Sequence, residues 1–311
     1  MVDGLIDAGA SVRALACYNS FNSLGWLDSF SPERLSQVEV ILGDIRDKGQ
    51  MEKVTEGIDI VFHLGALIAI PYSYQAFESF VETNITGTYN VLEGARKSGS
   101  RILLTSTSEV YGTAQYVPMD EKHPLQAQSP YSSTKIAADH LGEAFFRSFG
   151  TQVTVVRPFN TYGPRQSARA IIPTVATQIL SGKDTIQLGR LDPVRDFNFV
   201  KDTVSGFIAL SQCDAAIGQA VNIASGVGVS IGELAQMIAK VIGKEVAITE
   251  DPARIRPPSS EVERLIGSGD KMKSLTGWTP SYTLEKGLAE TIEWYKDPEN
   301  LKHFKPSVYN I

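Results

Sequence analysis

Five short runs rich in β-branched and aliphatic residues recur through the first half of the chain, at Val12 to Ala16, Val38 to Leu42, Ile58 to Leu64, Arg101 to Thr105 and Thr151 to Arg157. Segments with apolar residues at helical spacing separate them. Strands of nearly unbroken apolar character can be satisfied only where both sheet faces are covered. A parallel strand also needs a crossover long enough to bring the chain back, ordinarily a helix. The rhythm therefore predicts a doubly wound parallel sheet. The crossover helices are expected over Asp47 to Glu56, Phe80 to Ser98 and Ser133 to Phe149, with Gly99 and Gly150 ending the last two. Beyond Arg157 the text breaks into loops punctuated by Pro, Gly and Arg. A helix near Ile171 to Ser181, a strand near Thr185 to Leu188 and a helix over Val204 to Ser211 follow. The expected organisation is a nucleotide-binding domain over 1–165, to which 198–222 returns, and a smaller C-terminal α/β substrate domain built from 166–197 and 223–311.

The beginning of the chain departs from that scheme. A doubly wound nucleotide-binding sheet ordinarily opens with a strand running into a Gly-x-x-Gly-x-x-Gly turn, whose glycines let the backbone approach a pyrophosphate at a helix N-terminus. Here Val2, Leu5 and Ile6 stand at helical spacing from the outset and Gly9 ends them, and no such glycine run occurs in the 311 residues. The expectation is a chain lacking the first strand and glycine-rich loop, with unpaired edges on both neighbouring strands. Such a chain is expected to be poorly folded by itself and to bind a dinucleotide weakly.

Composition narrows the partners. Lys+Arg 29 against Asp+Glu 35 gives a net charge of −6, so no overall field draws the protein to nucleic acid or to an anionic membrane surface, and an anionic ligand needs local cations. Cys17 and Cys213 are far apart and in no Cys/His spacing for zinc, which points to a reducing compartment, the cytoplasm, and to no metal. No apolar run reaches the ~18 residues of a membrane span, and no basic-then-apolar leader opens the chain.

Two segments carry chemistry. Tyr131-Ser132-Ser133-Thr134-Lys135 opens a helix that Ser129-Pro130 would start, and i,i+4 spacing sets phenol and ammonium on one face. A lysine there can lower the phenol pKa and make it a usable base. Chance alone supplies about one Tyr with a base four positions on, so context decides. The strand Arg101 to Thr105 runs into Ser106-Thr107-Ser108-Glu109-Val110-Tyr111-Gly112, which puts hydroxyls and a carboxylate at the carboxyl end of a parallel strand, where open α/β sheets bind ligands.

Together these segments resemble the catalytic signature of the extended short-chain dehydrogenase/reductases, especially their nucleotide-sugar epimerases, dehydratases and decarboxylases. The resemblance implies a Rossmann-type sheet, NAD as cofactor and a nucleotide-diphosphate sugar as substrate. It gives Thr107 and Tyr131 to the reacting sugar hydroxyl, and Lys135 to the support of Tyr131 and the nicotinamide ribose. A carboxylate at Glu109 implies a 4,6-dehydratase, in which it removes the sugar C5 proton, with Ser108 or Glu109 itself as the acid for the departing hydroxyl. Thr107-Ser108-Glu109 also stands in UDP-glucuronate decarboxylases, so a decarboxylase remains open, as do a 4-epimerase and a non-catalytic sugar-nucleotide binder. On the cofactor side, Asp44 and Ile45 in Gly43-Asp44-Ile45-Arg46-Asp47 match an adenine-contacting segment. Leu64, Gly65 and Ala66 after His63 match a strand end that the dinucleotide approaches, Thr105 ends the next strand, and Asn84 matches a structural asparagine. His63 itself reads as a packed strand residue. No ribose-binding Asp and no Arg for a 2′-phosphate follows the second family strand, where the chain reads Ala14-Leu15-Ala16-Cys17-Tyr18. For the substrate, Asn160, Arg195 and Arg256 fall in segments resembling those that grip the diphosphate, since an acidic protein must concentrate fork-like donors locally. Glu261 and Arg264 could pair with each other on a helix.

A narrower resemblance, from Val2 to Ile311, is to the configuration-retaining UDP-N-acetylglucosamine 4,6-dehydratases of legionaminic-acid-type pathways. It rests on Ser20 to Asp28, Ala66 to Tyr74, Pro164 to Ala170 and the terminal Tyr309-Asn310-Ile311. It implies that Tyr72 and Ser73 line the sugar pocket, and that the chain forms a homodimer through the helices holding Tyr131 and Phe80 to Ser98.

Overall fold

A computed structural model of the chain describes residues 1–306, 308 and 309; of Tyr309-Asn310-Ile311, only Tyr309 lies within them. Twelve strands are present among these residues: β1 Val12–Cys17, β2 Val38–Gly43, β3 Ile60–His63, β4 Arg101–Thr105, β5 Val153–Pro158, β6 Asn160–Tyr162, β7 Thr185–Leu188, β8 Val194–Phe199, β9 Ala220–Ile223, β10 Gly228–Ser230, β11 Ala247–Glu250 and β12 Arg264–Leu265. The order β3-β4-β5-β9 is parallel throughout. This is the α/β architecture expected, and β9 shows that the chain returns to the first sheet after leaving it.

The parallel strands fall into two sheets. β1 pairs only with β2, and β3 only with β4, among the described residues. The two sheets share a core: Leu15 of β1, Ile45 and Val61 pack on a cluster built from Met51, Leu92, Ile102, Leu104 and Val155. The chain ahead of β1 is the short helix Val2–Asp7, as its spacing predicts.

The crossovers follow local chemistry. Asp47 caps the helix Lys48–Thr55 by accepting from Gln50 N. The segment read as one helix from Phe80 is a composite: Phe77–Phe80, a wider π-type turn over Val81–Thr86, then Gly87–Ser98. The wide turn carries Asn84, fully buried, whose side chain accepts from Leu67 N at 2.8 Å and donates to Leu67 O at 2.9 Å and Thr134 Oγ1 at 3.0 Å. Such a turn at a buried polar clamp is a common use of π geometry. The helix Pro130–Phe149 begins with a reciprocal Ser129/Ser132 capping box and ends at Gly150, whose φ of 68° a residue with a Cβ would resist.

The second region is organised on β8. β10 pairs with it antiparallel, while β12 and β6 pair with it parallel. β7 and β11 make a separate parallel pair. The helices Ile171–Leu180, Ile231–Ile242 and Leu284–Lys296 cover this part, meeting in a core of Ile172, Val175, Leu234, Ile238, Leu288 and Ile292.

Candidate active site

The carboxyl ends of the parallel strands converge on one edge. Ile45, just after β2, packs where a Cβ on Gly65, just after β3, would lie 3.4 Å from its side chain, which places both strand ends together. Next along the edge is Thr105, the last residue of β4. The chain then turns sharply: Thr107 Oγ1 accepts from Glu109 N at 3.2 Å and caps a single helical turn, Ser108–Tyr111. That cap keeps the hydroxyl and the carboxylate beside the sheet edge. Ser108 is buried, while Thr107 and Glu109 are half-buried.

Tyr131 lies in the first turn of the helix Pro130–Phe149, its ring edge-on to Phe80 at 6.3 Å, and Phe80 in turn meets Tyr72 at 6.1 Å. Burial pushes the phenol well above its ordinary pKa. The Thr107 side chain acts against that rise, and the charges of Glu109 and Asp139 add to it. Thr107, Glu109 and Tyr131 are thus close enough to act on one another. Lys135 is buried, and its Nζ donates to the Thr105 carbonyl at 2.6 Å. Burial lowers its pKa to about 8, with Asp139 opposing. The expectation that Lys135 lowers the phenol pKa is not met. Lys135 points at the strand end, is not among the groups acting on Tyr131, and desolvation of the phenol dominates.

On the substrate side, Arg195 of β8 is buried and its Nη2 lies 3.3 Å from Glu261 Oε1, while Arg256 Nη1 reaches the same oxygen at 3.7 Å. Burial lowers the Arg195 pKa; Glu109 and Glu261 oppose that and Arg256 reinforces it. Glu109 is therefore within electrostatic reach of both Tyr131 and Arg195, which brings the candidate catalytic and cationic groups into one region. Glu261 lies outside any helix and does not pair with Arg264; it serves the two arginines instead, a correction to the sequence reading. Asn160 Nδ2 donates to the Asp196 carbonyl at 3.1 Å, next to Arg195. Tyr72 is exposed enough to contact a ligand, whereas Ser73 is fully buried with its hydroxyl donating to Ile70 O at 2.7 Å, so its side chain is turned into its own helix.

Asp44 is held by Arg46, whose Nη2 lies 2.6 Å from its Oδ2, and that guanidinium holds the Asp44 carboxyl below its usual range. His63 is buried against Thr88 Oγ1 at 3.0 Å, a packed residue as expected. Two groups escaped the sequence reading besides Glu261. Asp196, fully buried, accepts from Ser225 N and Oγ, Gly226 N and Gly267 N, clamping the loops beside Arg195. Asp139 pairs with Arg157 under Lys135. Their partners lie between 18 and 71 residues away, beyond any local signal. A cleft of about 470 Å³ bounded by Val117, Ser225, Gly267, Asp270, Lys273 and Trp278 contains none of the candidate site residues.

Tyr131, Lys135, Thr107 and Glu109 thus stand at the carboxyl edge of the parallel strands, with Arg195 of the second region within electrostatic reach of Glu109, the arrangement expected of a nicotinamide-dependent enzyme of nucleotide-sugar chemistry. A model of the family described as GDP-mannose 4,6 dehydratase matches residues 1–291, and the chain belongs to that family. The dTDP-glucose 4,6-dehydratase of Mycolicibacterium smegmatis is 28% identical over 94% of this chain and 88% of its own length. The UDP-N-acetyl-alpha-D-glucosaminuronate decarboxylase of Bacillus cytotoxicus is 30% identical over 87% of each. Among solved structures, the dTDP-glucose 4,6-dehydratase DesIV of Streptomyces venezuelae, bound to NAD, superposes with a TM-score of 0.84 at 26% identity, covering 98% of this chain and 95% of that one.

The residues present fit the two ends of that cofactor. Thr105 Oγ1, on the residue whose carbonyl receives Lys135 Nζ, is buried without a hydrogen-bond partner, a polar group suited to a ribose or nicotinamide. Leu64 and Gly65 are exposed at the strand end, leaving the backbone open to close approach, and Asp44 and Ile45 stand at the end of β2 for an adenosine.

Proposed function

We propose that the chain is an NAD-dependent nucleotide-sugar 4,6-dehydratase acting on UDP-N-acetylglucosamine and releasing a 4-keto-6-deoxy sugar nucleotide. The observation that carries the reading is Glu109, a half-buried carboxylate that the Thr107 cap holds just past the carboxyl end of β4. A simple epimerase needs no second base there. NAD, when bound, would take the hydride from sugar C4 and give it back at C6 after water has left, so that the cofactor ends as it began. Thr107 orients the sugar C4 hydroxyl, and Tyr131 takes its proton. The 4-ketone acidifies the C5 proton, which Glu109 removes as water leaves from C6, with Ser108 or Glu109 giving the proton to the departing hydroxyl. Lys135, anchored on Thr105 O, presents its ammonium to the nicotinamide ribose. Arg195 and Arg256 grip the diphosphate, Asn160 supports that loop, and Tyr72 bounds the sugar. Asp44, Ile45, Leu64, Gly65 and Ala66 hold the adenosine half.

The described residues contain no helix long and apolar enough to cross a membrane, and both cysteines are free, which supports a cytoplasmic site of action. Phe77, Val81, Tyr89 and Phe149 are exposed on the helices that would pair two copies, which supports a homodimer. Incubation with NAD and UDP-N-acetylglucosamine, followed by mass spectrometry, tests the reading: loss of one water with a base-sensitive ketone is expected. A product of unchanged mass points to epimerisation, and carbon dioxide from UDP-glucuronate to decarboxylation; either overturns it.

A further inference from the structure

The segment 251–261 joins the two parts of the molecule. At one end Gln128 Nε2, next to the Ser129 cap of the helix that carries Tyr131, donates to the Glu261 carbonyl at 3.1 Å. At the other end Asp251 N donates to the Leu188 carbonyl of β7 at 2.7 Å, and a Cβ on Gly189 would lie only 2.8 Å from the Arg254 carbonyl. Glu261, Arg256 and Arg254 thus follow one another from the half carrying Tyr131 into the second region, with Arg195 joined to Glu261.

The two arginines of this segment are engaged differently. Arg256 Nη1 is buried without a hydrogen-bond partner and lies 3.7 Å from Glu261 Oε1. Arg254 is committed on two sides: its Nε lies 3.1 Å from Asp251 Oδ2, and its guanidinium carbon lies 4.6 Å from the centre of the Tyr309 ring. A cation at that distance from an aromatic ring is held by the ring's quadrupole, so Arg254 seats the ring while Arg256 keeps donors to spare. Tyr309 is brought there from the other side of the second region. Phe304 is buried with its ring 5.1 Å from that of Tyr295, Lys183 Nζ donates to the Pro306 carbonyl at 3.2 Å, and Lys305, Pro306 and Val308 line one small cleft with Gln178 and Arg254. Tyr309 itself is half-buried, so part of it remains open to a ligand.

A nucleotide sugar has three parts in a row. With its sugar at Tyr131 and its diphosphate at Arg195 and Arg256, the nucleoside continues along 251–261 toward Arg254. We propose that the Tyr309 ring, backed by Arg254, is the stacking surface for the nucleoside base of the substrate. The inference rests on the reading of Arg195 and Arg256 as the diphosphate grip. Every base has a π-face, so such a surface adds affinity without choosing among bases. The contribution belongs to the base alone, which separates it from any role in holding the arginines in place.

The test is calorimetric titration of UDP and of pyrophosphate into the NAD-loaded full chain, as wild type and as Tyr309→Phe, Tyr309→Leu and Tyr309→Ala. Loss of one base–aromatic stack should weaken UDP roughly 5- to 100-fold in Tyr309→Leu and Tyr309→Ala while pyrophosphate stays within about twofold of wild type. Tyr309→Phe keeps the ring and should bind UDP as wild type does. Tyr309→Leu keeps apolar bulk where the ring packs, so it reads the stack even if Tyr309→Ala loosens the segment. UDP and pyrophosphate weakened alike would mean that the ring only holds the arginines in place, and UDP binding unchanged in both ringless variants would remove Tyr309 from the site; either result overturns the proposal. Arg256→Ala should weaken both probes. If it weakens neither, the diphosphate reading falls, while the dependence of UDP binding on Tyr309 still decides the stacking on its own.

Discussion

His63 makes the site acid-sensitive, by an amount that can be worked out. It ends β3 with its ring buried and Nε2 3.0 Å from Thr88 Oγ1, and burial first, then the Lys135 charge, push its pKa from 6.5 down to about 3. A histidine whose folded-state pKa lies below its unfolded value stabilises the fold above the unfolded value, and that contribution is lost as pH falls toward the folded one. Between pH 6.5 and pH 3 the unfolded chain binds a proton that the folded one refuses. The loss amounts to about 2 kcal/mol at pH 5 and about 3 kcal/mol at pH 4. The perturbation is His63→Gln, which keeps a hydrogen-bonding group for Thr88 and removes the titration. Urea denaturation of both proteins at pH 7.5 and pH 5.0 is the assay. Wild type should lose about 2 kcal/mol more than the variant across that interval. Equal losses would show that His63 is not held neutral, and would refute the placement of a neutral ring beneath Lys135.

Tyr131→Phe keeps the ring against Phe80, so stability should change by less than about 1 kcal/mol while turnover falls roughly 10²–10⁴-fold; near-normal turnover with UDP-N-acetylglucosamine would remove Tyr131 from the mechanism. Glu109→Gln should slow solvent-deuterium incorporation at sugar C5 by at least about 10²-fold, and exchange at the wild-type rate would assign the base elsewhere. Asp196→Asn turns an amide toward the Ser225, Gly226 and Gly267 N–H groups and should cost about 2–3 kcal/mol in chemical denaturation, whereas an unchanged midpoint would mean the loops beside Arg195 do not depend on that clamp.

β4 was legible because burial on both faces leaves it almost continuously apolar, and β7, whose residues alternate exposed and buried, was legible by that alternation; both begin and end at the expected residues. Helix ends marked by a local device were legible too, as at Gly99 and Gly150. Where no device exists the reading slipped. The helix expected from Val204 begins at Val200, behind a Phe199 cap with no side-chain bond to announce it. The wide turn over Val81–Thr86 is imposed by Asn84 reaching Leu67 and Thr134, contacts no periodicity encodes. In the site, Tyr131 and Lys135 were legible as an i,i+4 pair, but the seat of Lys135 on a backbone carbonyl 30 residues away was not, nor was the burial that raises the phenol. Glu261 failed for the same reason: Arg264 was the near partner in sequence, and Arg195, 66 positions distant, is the partner in space.

Under the proposed reading, the placement of Glu261 lets a chain of net charge −6 present cations to a diphosphate. Arg195 is buried, and two guanidiniums close together repel, so the pair needs an anion before any ligand arrives. Glu261 supplies it from just after a short helical turn, Pro258–Ser260, that is tied to the half carrying Tyr131: Gln128 Nε2 donates to the Glu261 and Ser259 carbonyls at 3.1 and 3.3 Å, and the Tyr74 and Ser260 hydroxyls meet at 2.6 Å. Gln128 immediately precedes Ser129, the cap of the helix that carries Tyr131. The segment that neutralises the arginines is therefore the same one that fixes them relative to Tyr131. One carboxylate shared by two guanidiniums leaves a local excess of one positive charge, partly offset by Glu109 within electrostatic reach of Arg195. Under the proposed reading, a dianionic diphosphate entering there gains that excess charge, and the segment carrying Glu261 sets how far the anchored nucleotide lies from Tyr131.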